Sequence, residues 1–346
     1  MGPPGPPPGA PAGTWSAAPY GGPPPAQPAQ WQLPVYQPGV VPLRPLTLGD
    51  MFGGALKTIR RNPRATVGMA MLVTFAFMLT PIAATIVLGA ADVLPSMDLF
   101  DPESTSTTTN AGSMLSTLVS AVFSLLAGIV VTGLMVRTVE QAVVGRSLTA
   151  GEAWQRSKGR LLPLLGLTLV VSLGLTLVIG VPIGVGILVA MAVDTALGVM
   201  LAVVGGVLGV VAAAFLYTRF LLLAAPVLVL EERGVFASLA RAGQLARHDF
   251  WRLLGIYLLA SLVVGLIGQV IAIPFAIFGV VGVVVLPESW KFAAMMLSSH
   301  VSTVLTGGLL GPFTAGVLAL QYLDQRFRKE GLDIELLEQT AHPSNR

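Results

Sequence analysis

Glu231, Glu232, His248 and Asp249 are the side chains that could carry acid–base chemistry, since a carboxylate near an imidazole is a common pairing of base and orienting group. They flank one short segment, and ordinary loop charges beside a helix account for them equally well. Arg137 and Glu140 stand three apart and can pair along a helix end, worth only a few tenths of a kcal/mol if exposed. Cysteine is absent, which excludes disulfides, thiolate metal sites and cysteine nucleophiles. His248, His300 and His342 are too scattered to make a metal site. No ordered set of nucleophile, base and ligand emerges, so the expectation is a protein that is not an enzyme and carries no cofactor or metal. Two polar residues stand inside apolar runs, Gln269 and His300. Ionisable groups at such depth face a bundle interior or a wet cavity, either as helix-to-helix hydrogen bonds or as part of a substrate or proton path.

The elements that must position these residues are membrane spans. Of 346 residues, 54% are hydrophobic and 11% charged, far below the roughly 25% charged of soluble domains. The net charge of +3 could suggest nucleic acid, but the charges sit in short loops between apolar runs, as membrane topology places them. Nucleic acid is therefore not an expected partner. Residues 1–45 hold 15 of the 26 prolines and no charge before Arg44. Such a stretch buries too little to offset its ordering entropy, and it reads as a disordered cytoplasmic tail, either a tether or a docking strip for a protein partner. It lacks the basic start and apolar stretch of a signal peptide.

Runs of about 20 apolar residues cross a hydrocarbon core of ~30 Å. The runs predict spans over Thr66–Ala90, Ser113–Val136, two within Leu161–Thr218 joined by a turn at Asp194, one within Leu253–Leu286 with a tilt or kink at Pro274, and one over Phe292–Leu320. A polar tail from Gln321 closes the chain. Six spans put 19 of the 20 basic residues on one side, leaving Lys291 opposite. The positive-inside rule then makes both termini cytoplasmic in a multi-pass cell-membrane protein.

A threefold pattern runs through the chain. Thr47 with Asp50 and Thr149 with Glu152 each read as a helix N-cap with an acid three residues on. The third copy starts from Gly234. Its apolar positions Val235, Leu239, Ala242 and Ala246 oppose Ser238, Arg241, Gln244 and His248, the spacing of an amphipathic helix lying in the headgroup layer. Each copy is one surface helix followed by two spans. Gly205 and Gly209 make a GxxxG spacing, usable for tight packing within the chain or as a homo-oligomer seam.

Arg219, Ala225-Pro226, Val229-Leu230-Glu231, Gly234, Ala240-Arg241, Leu245, Arg247 and Phe250-Trp251-Arg252-Leu253-Leu254-Gly255 follow one another in a distinctive order. In that order the chain resembles the membrane domain associated with glycerophosphoryl diester phosphodiesterases. Leu46–Arg64 is similar to that family's entry into its first span, and the resemblance covers 46–330. It implies a bacterial membrane module without the hydrolase, because no soluble stretch here approaches the roughly 200 residues of a catalytic barrel.

The expectation is an all-α polytopic protein in three parts: a tail over 1–45, a six-span membrane domain over 46–330 and a tail over 331–346. Its expected role is a non-catalytic scaffold touching anionic membrane lipids through Arg60, Arg61, Arg64, Arg156, Lys158, Arg160, Arg247 and Arg252. The alternative is a transporter or lipid-handling protein with a polar site near His300 and Gln269.

Overall fold

Thr47 accepts the backbone N–H of Asp50, and the Asp50 carboxylate accepts the backbone N–H of Thr47 in return. That capping box starts helix α1, Leu48–Arg61. Thr149 and Glu152 repeat it at the head of α4, Ala150–Ser157, which passes through one 3₁₀ turn into α5. The third surface helix, α8, spans Val235–Leu245 and starts at Gly234 without a side-chain cap. Each short helix precedes a pair of long ones: α2 (Met69–Ala90) and α3 (Ala111–Val143), α5 (Leu161–Ala192) and α6 (Thr195–Leu216), α9 (Phe250–Val285) and α10 (Glu288–Glu330). A short helix α7, Ala224–Leu230, follows α6 and carries Pro226 in its first turn, where the missing N–H costs nothing.

The computed structural model describes residues 39–91, 111–332 and 334. The proline-rich tail before 39, the Ser/Thr-rich acidic loop over 92–110 and the end of the chain beyond 334 lie outside the described residues. Six helices are long and apolar enough to cross a membrane, and no strand occurs among the described residues, so the chain is an all-α polytopic membrane protein. Asp194 caps α6 by accepting the N–H of Leu197, which makes the expected tight turn between the third and fourth spans.

Burial separates a centre from a periphery. The apolar windows of α10 and α3 are 50% and 44% buried, whereas those of α5, α6 and α9 are each 11% buried. The α5–α6 pair is nonetheless tight. A Cβ on Gly198 would lie 2.1 Å from the Ala190 nitrogen, one on Gly186 2.3 Å from that of Ala202, and one on Gly209 2.9 Å from the Val178 carbonyl oxygen. The GxxxG pair is thus spent inside the chain.

Three expectations are corrected. Residues 40–43 are core: Val40, Val41 and Leu43 are buried, and the Val40 N–H donates to the Ala142 carbonyl at 3.1 Å. A Cβ on Gly39 would meet that same oxygen at 2.1 Å, so the segment lies directly on the end of α3. The polar run from Gln321 is not a tail but the last turns of α10. That helix has 43 residues, about 65 Å at 1.5 Å per residue, roughly twice the hydrocarbon thickness. It ends where Gly331 turns left-handed at φ 64°. Finally, α8 and the residues just after it keep Ala242 and Ala246 buried and Gln244 and His248 exposed, but Ser238, read on the polar face, is buried, while Phe236 is 74% exposed. The Ser238 hydroxyl satisfies itself on the Gly234 carbonyl, which lets it sit inside.

Candidate functional site

The polar end of α10 meets the segment that leads into α1 and the segment from α8 to the start of α9 at one end of the bundle, where the basic residues collect. Asp324, its side chain 1% exposed, accepts the Leu46 N–H at 2.7 Å. Arg252, from the first turn of α9, donates Nη1 to the same carboxylate and Nη2 to the Leu46 carbonyl at 2.7 Å. Arg328, one turn along α10, donates Nε to both Asp324 oxygens at 3.1 Å and Nη2 to the Leu46 carbonyl at 3.2 Å. A buried carboxylate is costly unless its oxygens are filled, and here two guanidinium groups and a backbone donor fill them.

The turn between α7 and α8 makes a second knot. Glu231 accepts from the Tyr322 hydroxyl at 3.0 Å, Arg233 at 2.8 Å and Arg241 at 3.2 Å. Arg241 also pairs with Glu330, which Arg326 holds at 2.8 Å. Glu232 takes a left-handed backbone, φ 55°, uncommon without glycine. That turn presents its carboxylate to Arg160 of the α4–α5 junction at 2.7 Å and to Arg137 of α3 at 2.9 Å. The Arg160 hydrogen bond and charge, with Arg137 behind them, hold Glu232 below the usual carboxylate range. Partial burial pulls Arg241 down, but the hydrogen bonds and charges of Glu231 and Glu330 outweigh it and raise it. Partial burial also raises Asp50, and its Thr47 hydrogen bonds with the Arg44 charge win, lowering it. Chemically these carboxylates are engaged acceptors that bind helices together, with no open position beside an imidazole.

No family model, curated protein or solved structure matches this chain. The resemblance read along Arg219–Gly255 therefore rests on its own residues, and those residues have work of another kind. Arg219 donates to the Gly243 carbonyl, Glu231 and Arg241 form the second knot, and Arg252 joins the first.

The expected lipid contacts divide. Arg160 and Arg252 are committed to protein carboxylates, and Arg61 donates to the Gly145 carbonyl at 3.0 Å. Arg60, Arg64, Lys158 and Arg247 are exposed and make no side-chain pairing among the described residues, while Arg156, also exposed, faces the Glu152 charge one turn back. Of the acid–base candidates, Asp249 pairs with Lys329 at 3.0 Å, while His248 is exposed. His300 and Gln269 are not brought together. His300 is buried and stands 3.1 Å from the Thr85 hydroxyl, itself 3.2 Å from that of Ser116, so the three link α10, α2 and α3. Gln269 is exposed on α9, because that helix turns most of its surface outward.

Among the cavities that flank this framework, two bear on lipid. One of about 380 Å³ opens between the entry segment and α9, lined by Leu48, Trp251, Arg252, Gly255, Ile256 and Arg328 among others. Another of about 490 Å³ lies within the spans, between α3 and α5, with the hydroxyl-bearing residues Ser124, Thr132 and Thr168 on a largely apolar wall. Asp324, Tyr322 and Glu330 were missed as site residues because Gln321 onward reads as a tail. The available signal was helical spacing: Asp324 with Arg328 and Arg326 with Glu330 are both four apart.

Proposed function

We propose that this chain is a non-catalytic scaffold or accessory protein of a bacterial cytoplasmic membrane, its basic end cytoplasmic, that holds anionic lipid there and recruits protein partners through the residues before 39. The observation that carries this reading is the division of charge at the basic end. The carboxylates of the two knots are locked to arginines that fasten surface helices to spans, while Arg60, Arg64, Lys158 and Arg247 remain exposed with no side-chain partner among the described residues. Exposed cations beside a membrane attract anionic headgroups at about 1 kcal/mol each. The resemblance to a membrane domain that accompanies hydrolases without being one is in keeping with such a role.

The test is a partner and lipid inventory. The full chain and a form lacking residues 1–35 are purified in native lipid particles and their companions identified by mass spectrometry. Proteins present only with the full chain are the expected result. The same small molecule with both forms, and no protein, would sink the scaffold reading. It would favour lipid handling instead, which the intramembrane cavity of about 490 Å³ supports as a second reading.

A further inference from the structure

Asp324 is one charge held by two. Arg252 and Arg328 converge on it, so the cluster keeps a net positive charge at the floor of a shallow, open groove. Each guanidinium keeps a nitrogen without a partner among the described residues, Nε of Arg252 and Nη1 of Arg328. Trp251 stands on the rim, 80% exposed at the head of a span, the position where indole rings favour the headgroup layer. Beyond it the wall carries apolar Leu48, 42% exposed, above Ile256, which is buried at 5% exposure. Nothing lies within 4 Å of where a Cβ on Gly255 would stand, so the groove keeps its width there. Charge at one end, an interfacial ring on the rim and open space beside apolar Leu48 and Gly255 at the other match one kind of molecule.

We propose that this groove is a binding site for a single anionic phospholipid, its phosphate on Arg252 and Arg328 and an acyl chain along Gly255 and Leu48. This rests on the anionic-lipid reading given above and makes it specific: one lipid held at one place, in addition to the lipids drawn to scattered cations.

The test is native mass spectrometry of the full chain released from nanodiscs of equal phosphatidylglycerol and phosphatidylcholine. One net charge near the surface gives about a fivefold enrichment of the anionic lipid in the first retained molecule. Gly255→Leu, which fills the open end of the groove without touching a charge, and Arg328→Gln, which keeps the Arg252–Asp324 pair, should each bring the ratio close to parity. Should Arg328→Gln fail to fold, Gly255→Leu carries the test, because its side chain enters open space. Parity in the unaltered chain, enrichment that survives Gly255→Leu, or displacement of the lipid by millimolar inorganic phosphate would overturn the proposal. Spin-labelled lipids in the same discs report the annulus separately. Annular anionic selectivity that persists while the retained lipid ignores Gly255→Leu rejects only this site, whereas absent annular selectivity rejects the broader lipid reading.

Discussion

Asp324 is the residue on which most of the basic end depends, since the entry segment, α9 and α10 all reach it. Asp324→Asn removes the charge that two guanidinium groups share and turns an N–H donor towards them. Breaking a buried pair by changing one partner costs roughly 3 to 5 kcal/mol, because the other charges lose their compensation. A large loss of thermal stability in detergent is expected, and a melting curve identical to that of the unaltered chain would remove Asp324 from this role. The sequence pointed to Arg252, Glu231 and Glu232 as separate features, but not to the carboxylate that unites the first with Leu46. The reason is physical: Asp324 acquires its meaning from partners 72 and 278 residues away, which no local spacing encodes. His300 is the opposite case, since an imidazole inside an apolar run must find a partner. A helix-to-helix contact is there, to the Thr85 hydroxyl of α2.

Elements were legible where periodicity or capping is local. The paired capping boxes, the turn at Asp194 and the three surface helices followed from residues within one or two turns of each other. The end of α10 and the segment over 40–43 were not, because a polar helix and a proline-flanked aliphatic stretch are held by tertiary contacts rather than by their own pattern. The α5–α6 seam gives a prediction at this scale. Gly198→Leu would drive a side chain into the backbone of Ala190, so it should destabilise by about 1 to 3 kcal/mol, while Gly265→Leu, with open space around it, should change little. Thermal melts of both variants in detergent check this. If Gly198→Leu left the melt unchanged but abolished a cross-linked dimer, the seam would lie between copies instead.

For the whole molecule, the fold begins earlier than its first helix. The chain divides into units at 1–35 and 36–346, and the second contains the buried Val40, Val41 and Leu43. Deleting 1–35 should leave the melting temperature unchanged. Deleting 1–45 removes three buried aliphatic side chains, a loss on the order of 5 kcal/mol at 1.5 to 3 kcal/mol for each. Comparable melts for the two deletions would show that the segment adds nothing to the bundle. The bond from Leu46 to Asp324 also sets a clock. Its two ends are 278 residues apart, so at ribosomal rates of about 5 to 20 residues per second the donor waits roughly 14 to 56 s for its acceptor. By the end of that interval five spans are made while the helix that closes the centre is still being synthesised. A nascent chain arrested before Asp324 would expose the ends of α1 and α9 unfastened, a signature by which quality control can tell an unfinished copy from a finished one.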